Sequence, residues 1–346
     1  MVYSRFLESL EQSCIAERVA LNHTKKGLST GEFLLFNYSG HLSEFGGFIN
    51  LGDYVQTYAV ETALKFLFPE SSSAYFDRDS LFFYKNNNVR IVSIMQGWFA
   101  HSLNFFPSSS ILPVWCGTHF EPEVARLVLK ALSINPAYFQ TSVGCRDLST
   151  LEFLMTAGVD AYFSRCLTLT LPKCTDESER ELVYFVDVPE KLLRYFPSNL
   201  REDAVVVNQR WVNVGCEPWQ KSYLRAQRLL KEYSSKAKLV VTSALHCAAP
   251  CLAMGIPVVL LSLDPEENKN RFSALDGILS YSTCEDLKRR RVDFDRESVD
   301  IEDLKKAMLE NLRLTIECAW GNKVQQSELR DIREFIANFR APGLAK

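Results

Sequence analysis

An α/β chain of two Rossmann-like domains with a central cleft is the architecture predicted by the 346-residue sequence. Three observations point to it. Apolar β-branched runs alternate with longer amphipathic runs through most of the chain, the pattern of parallel strands covered by helices on both faces. The length suits two domains at roughly 100–200 residues each. Midway, the polar segment Leu171–Arg180 (LPKCTDESER) carries Pro172 and a run of charges, which places a boundary there. The expected halves are therefore 1–172 and 173–346, with the final helix free to return to the first half.

The chain starts with charged, amphipathic sequence that sets Phe6, Leu7, Leu10, Ile15 and Val19 toward one helical side. It lacks the continuous apolar stretch of a signal peptide. Glu32–Tyr38 reads as a strand, followed by a loop containing Gly46, Gly47 and Gly52 and a helix over Tyr54–Phe68. Val89–Met95 and Ile111–Cys116 read as strands, Pro122–Leu132 as a helix, and Thr141–Cys145 as a short strand. A helix over Leu148–Ala157 and a strand over Ala161–Leu169 complete the first half. In the second half, Glu181–Val188 and Asp203–Val207 are strands and Lys221–Tyr233 is a helix. Leu239–Leu263 holds no charged residue, yet Pro250, Gly255 and Pro257 interrupt it. It therefore reads as strand (Lys238–Val241), helix (Leu245–Met254) and strand (Ile256–Leu261), not as a membrane span. Amphipathic helices over Ile301–Ala319 and Gln325–Phe339 close the chain.

Composition narrows the function. Hydrophobic residues make up 47% and charged residues 23%, so the chain can bury a real core. With 39 Lys+Arg against 42 Asp+Glu the net charge is −3, which argues against a nucleic-acid binder. The ten cysteines are scattered without a CxxC, which suits a reducing cytosol better than a zinc site or a disulfide framework. No metal and no bound organic cofactor is called for.

Three loops hold candidate chemistry. Gly46–Asp53 lies between a strand and a helix: its glycines allow close approach to a ligand, and Asp53 reads either as a base or hydroxyl binder or as a helix cap. Val143-Gly144-Cys145-Arg146-Asp147 precedes a helix, where Arg146 reads as an anion clamp or as a solvated neighbour of a capping Asp147. Thr242–His246 places His246 at a strand-to-helix turn, either a ligand group or a core histidine. The remaining histidines, His119 among them, lack metal-like spacing.

Taken together and in order, the motifs resemble the polysaccharide pyruvyl transferase family. The matching pieces are Asn50–Gln56, Phe76–Asp79, Met95–Phe99, Val143–Asp147 with Ser149–Leu151, Cys166–Thr170, and Thr242–Cys247 with Pro250 and Met254–Pro257. The resemblance implies a GT-B-like fold and transfer of the enolpyruvyl unit of phosphoenolpyruvate to two hydroxyls of one sugar. A cyclic pyruvate ketal and phosphate would result. The acceptor would be a sugar or lipid-linked oligosaccharide in a surface or exopolysaccharide precursor, met on the cytoplasmic side. That setting is compatible with peripheral association at a membrane.

By the same resemblance His246 is the general acid, Asp53 acts on the acceptor, and Arg146 binds the donor. Asn50, Gly52, Gln56 and Trp98 are expected on the acceptor side and Ser243 on the donor side. Where many relatives read Arg-Leu-His this chain has Ala244-Leu245-His246, and where relatives often have Thr-His it has Asn208-Gln209-Arg210. A lost arginine contact to an anion costs about 1.5–3 kcal/mol, so Arg210 or Arg271 is expected to restore the charge. Two other readings stay open: a GT-B glycosyltransferase using a nucleotide-sugar, and a non-catalytic sugar-binding relative.

Overall fold

A computed structural model describes residues 27–39, 48–86, 89–100, 103–134, 139, 141–175, 180–202, 204–212 and 217–343. The amphipathic N-terminal stretch and Gly46-Gly47 lie outside the described residues. The first half contains β1 (Gly27–Asn37), β2 (Phe48–Asn50), α1 (Leu51–Leu67), β3 (Ser72–Asp77), β4 (Val89–Ile94), β5 (Gly97–Phe99) and β6 (Ile111–Val114). It continues with β7 (Thr118–Phe120), α2 (Pro122–Ile134), β8 (Val143–Cys145), α3 (Leu148–Thr156) and β9 (Ala161–Phe163). The second half contains β10 (Leu182–Val186), α4 (Glu190–Leu193), α5 (Ser198–Arg201), β11 (Val205–Val207), β12 (Arg210–Val212), α6 (Trp219–Lys236) and β13 (Ala237–Thr242). Then come α7 (Leu245–Ala253), β14 (Val258–Ser262), α8 (Pro265–Phe272), β15 (Tyr281–Thr283), α9 (Cys284–Lys288), α10 (Glu302–Ala319) and α11 (Gln326–Asn338).

The class is α/β with parallel sheets. β11-β10-β13-β14-β15 forms one parallel sheet in the second half. β10, β13 and β14 are buried along nearly their whole length because helices cover both faces, which is why they read as unbroken apolar runs. The uncharged stretch Leu239–Leu263 spans β13, α7 and β14, and among the described residues no helix is long and apolar enough to cross a membrane.

The first half departs from the simplest expectation of one sheet. It has two, β3-β1-β4-β6 and β5-β7-β8-β9, both parallel. The expected strands over Val89–Met95 and Ile111–Cys116 stop, turn and resume as β5 and β7. The turn is built around buried Gln96, whose Oε1 accepts from Leu167 N (3.1 Å) while Nε2 donates to the Gln56 carbonyl (3.3 Å). Gly117 faces it with φ +76, and a Cβ there would lie 3.0 Å from Gln96 Oε1. Only glycine fits. A second correction concerns Ala161–Leu169, which ends as a strand at Phe163: Arg165 takes φ +60 and the chain coils into a 3-10 turn over Leu167–Thr170.

Three features fasten the halves together. Helix α7, buried at every residue, lies between the second sheet and α1 with the Leu167–Thr170 turn of the first half. β2 and β12 form an antiparallel ladder in which Asn50 faces Arg210, extended by Leu51 N donating to the Gln209 carbonyl (2.8 Å). The last two helices lie on the first half: Trp320 packs on Phe33 and Phe68, and Asn311 Nδ2 donates to Tyr162 Oη at 3.0 Å. One buried apolar cluster runs through both halves.

Candidate active site

Helix α1 begins at Leu51, three residues earlier than its apolar period suggests, so Gly52 and Asp53 sit in its first turn. Its N-cap is Asn50, which accepts from Gly52 N at 3.1 Å, so Asp53 is not the cap. Gly52 has a steric task. A Cβ on it would stand 3.1 Å from His246 Cβ and 3.3 Å from Nδ1, closer than side chains normally pack. Glycine thus lets the first turn of α1 lie against the imidazole at the start of α7.

A string of hydrogen bonds crosses between the halves at this point. Gln56 Nε2 donates to Asp53 Oδ1 (3.3 Å), Arg146 Nη1 donates to Gln56 Oε1 (3.4 Å), and the same Nη1 lies 3.3 Å from His246 Nε2. A guanidinium can only donate, so Nε2 accepts and the ring proton of His246 resides on Nδ1. All four side chains are buried. Burial foremost, then the charges of Arg146, Arg271, Arg210 and His119, hold the imidazole far below its ordinary pKa, so it is neutral at rest.

Arg146 is the unusual member. It directly follows β8, its backbone N–H is held by the Thr118 carbonyl (2.8 Å), and it is only 3% exposed. Among the described residues no carboxylate forms an ion pair with it, and its Nε is buried without a hydrogen-bond partner. Its side chain's hydrogen-bond partners are an amide and an imidazole, both neutral. The ionised carboxylate of Asp147, the next residue, bears on its charge without a direct bond, and the unpartnered Nε leaves this position able to take an anion arriving from solution.

Beside the string, at the C-terminal ends of β10, β11, β13 and β14, lies a cavity of about 870 Å³ lined by Asp187, Asn208, Arg210, Ser243, Ala244 and Arg271, among others. The chain runs from β10 outward to β11 and later returns to β13 on the other side of β10, so the cavity sits at the point where strand order reverses. Ser243 lines it, although its hydroxyl proton is already given to the Asp187 carbonyl (2.7 Å). Arg210 and Arg271 line the same cavity as Ala244, and both charges are felt at His246. Trp98 stands on β5, 37% exposed, its indole N–H donating to Glu121 (3.2 Å). Among the described residues no group of three His, Cys, Asp or Glu is arranged to hold a metal.

With this geometry in view, comparison with known proteins is decisive at one point: residues 50–265 match the family model described as polysaccharide pyruvyl transferase. The chain belongs to the polysaccharide pyruvyl transferase family. No curated protein matches significantly. Solved structures resemble it only weakly. A functionally uncharacterized protein from Klebsiella pneumoniae subsp. pneumoniae NTUH-K2044 has 12% identity and a TM-score of 0.41, covering 73% of this chain and 92% of that one. A putative UDP-N-acetylglucosamine 2-epimerase from Listeria monocytogenes has 10% identity and a TM-score of 0.38, with 86% and 100% coverage. The wall teichoic acid polymerase TagF has 10% identity and a TM-score of 0.37, with 97% and 94% coverage.

The family match runs from the cap of α1 to the start of α8, so it contains Asn50, Asp53, Arg146 and His246 but stops short of Arg271. Two site features have no sequence signature. His119 Nδ1 lies 2.6 Å from Asp147 Oδ2 across a separation of 28 residues, a pairing that only the β7–β8 adjacency reveals. Asp187, at φ +53, accepts Gln209 N–H on Oδ1 (2.8 Å) and keeps Oδ2 buried without a partner. Its position just past the end of β10 is the one signal that marks it out.

Proposed function

We propose that this pyruvyl transferase family member moves the enolpyruvyl unit of phosphoenolpyruvate onto two hydroxyls of one sugar in a surface-polysaccharide precursor. The product is a cyclic pyruvate ketal, with release of phosphate. The observation that carries this reading is the buried Arg146, without a carboxylate partner among the described residues, in hydrogen-bond contact with neutral His246. Arg146 and His246 would receive the donor, with Arg210 and Arg271 adding positive charge from the cavity wall next to Ser243.

The chemistry then follows from charge. Burial is the main cause of the depressed His246 pKa and the guanidinium charges add to it; the anionic donor offsets those charges, which raises the pKa and favours a proton on the imidazole. Protonated His246 gives that proton to the methylene carbon, the central carbon becomes electrophilic, and the first sugar oxygen bonds to it. Loss of the phosphate oxygen restores an electrophilic carbon, and the second hydroxyl closes the ketal. Of the two hydroxyl protons released, one balances the new methyl group and the other leaves on phosphate. Asp53, held by Gln56 in the first turn of α1 beside Asn50 and Gly52, is placed to bind or deprotonate an acceptor hydroxyl, and Trp98 offers a ring face for a sugar.

The acceptor is a free or lipid-linked saccharide at the cytoplasmic face, a setting that fits the free cysteines. One observation favours a second reading, a nucleotide-sugar glycosyltransferase: a cavity of about 870 Å³ has room for a ligand much larger than a three-carbon phosphate. Incubation with phosphoenolpyruvate and an array of galactosides, mannosides and N-acetylhexosamines decides between them. Phosphate release with a mass gain of one pyruvate ketal supports the proposal. Glycosyl transfer from a nucleotide-sugar without any ketal overturns it.

A further inference from the structure

Next to Arg146 the structure holds a second imidazole, built in a way that the reaction above does not use. Asp147 is fully buried, and its Oδ1 accepts Thr150 N–H (2.9 Å) and the Ser149 hydroxyl (2.6 Å). Its Oδ2 takes His119 Nδ1 at 2.6 Å and the Thr150 hydroxyl at 3.2 Å. The carboxylate is thus fully occupied and rigid. Burial pushes its pKa up, but the bond and charge of His119 with the charge of Arg146 outweigh this and hold it at about 2. In the neutral form of the ring, the ionised Asp147 holds the proton on Nδ1 and leaves the lone pair on Nε2, on the far side of the ring.

The ring is partly open to solvent. The His119 side chain is 16% exposed while its carboxylate partner is sealed. In the parallel pairing of β5 and β7, His119 is the register partner of Trp98, so the two side chains stand on one face of the sheet. Trp98 is the more exposed of the two, and its indole N–H is fixed on Glu121. His119 also lies close enough to His246 to bear on its protonation, across Arg146. The charged and titratable groups around it are therefore Asp147, Arg146, His246 and, beside Trp98, Glu121.

We propose that His119, oriented by Asp147, is the general base that takes the proton from the attacking acceptor hydroxyl, with the sugar ring resting on Trp98. This rests on the pyruvyl transfer reading and assigns to its acceptor half a residue outside the family motifs. The hydroxyl O–H breaks toward His119 Nε2 as its oxygen bonds to the central carbon of the donor. Asp147 stabilises the imidazolium so formed, and Nε2 returns the proton to the departing phosphate oxygen. Asp53 then keeps a hydroxyl-binding task.

The test uses H119N in the full-length protein, since an asparagine amide can still donate to Asp147 but cannot act as a base. Phosphoenolpyruvate binding by calorimetry and pyruvyl transfer to the best acceptor are measured for both proteins. The expected result is a kcat lower by about 100- to 1000-fold, with donor affinity within about threefold of wild type. If H119N does not fold, H119Q carries the same expectations. A variant that keeps kcat within about threefold of wild type overturns the base assignment while leaving pyruvyl transfer intact. A wild-type protein that transfers nothing from phosphoenolpyruvate overturns the parent reading, and this proposal with it.

Discussion

Single atoms decide the properties of this site. Gly52 is the clearest case, because a methyl group there would stand 3.1 Å from Cβ and 3.3 Å from Nδ1 of His246. Gly52→Ala should therefore displace the imidazole and lower phosphoenolpyruvate affinity on the order of tenfold, since small misplacements of binding groups are expensive. Calorimetry reads this directly, and unchanged affinity would show that the ring yields without consequence. His246 also links stability to pH. Its folded pKa is depressed below the ordinary value of about 6.5, so on acidification the unfolded chain takes up the proton first. Stability is then lost as pH falls below about 6.5 and recovered as it rises. Denaturation midpoints at pH 5 and 7.5 should differ less in His246→Gln than in wild type, and equal differences would refute a neutral buried imidazole. Some of this was legible in advance. The motifs around Asp53, Arg146 and His246 name the residues, but whether Asp53 or Asn50 caps α1 depended on where the chain enters from β2. The His119–Asp147 pair depended on β7, which the break at Gly117 hides from any reading of strand-length apolar runs.

At the scale of elements, Arg165 illustrates how one side chain organises distant segments. It sits at φ +60, fully buried, where the expected strand over Ala161–Leu169 ends. Its Nε donates to the Ile336 carbonyl (2.8 Å) and Nη2 to those of Ala337 and Phe339, the C-terminal end of α11. Its Nη1 donates to the backbone carbonyls of Ala274 and Asp276 (3.2 and 2.7 Å). A guanidinium here satisfies carbonyls that no further helical turn can reach and meets the negative end of the α11 dipole. Burial outweighs the help from Asp276 and lowers its pKa to about 10, yet it remains charged at neutral pH. Arg165→Met should destabilise the chain by about 2–4 kcal/mol, with residues 326–343 becoming the first segment cut by protease. A variant whose melting and proteolysis match wild type would contradict this role. β10, β13 and β14 were easy to read because burial on both faces writes an apolar run into the sequence. β2 and β12 were not, because three-residue strands in a cross-half ladder leave no periodicity to detect.

For the whole molecule, the two halves pack against one another around a site set between the starts of α1 and α7. α7 is buried between the second sheet and α1, and α10 with α11 completes the first half from the end of the chain. One apolar cluster runs through both. Thermal unfolding should therefore appear as a single cooperative transition in calorimetry, and two resolved transitions would show that the halves fold independently. The alternation of strands and helices disclosed the α/β class, since it depends only on local pattern. The split of the first sheet and the return of the last helices depend on tertiary contacts, which local pattern does not encode. The proposed donor site depends on Arg146 as the cation that meets a small organic phosphate. Titration of the wild-type protein and Arg146→Met with phosphoenolpyruvate measures that most directly. The account predicts clear binding to wild type and a loss of about 10- to 100-fold in the variant, the effect of removing one charge-assisted contact. Equal affinity for the two proteins would contradict it.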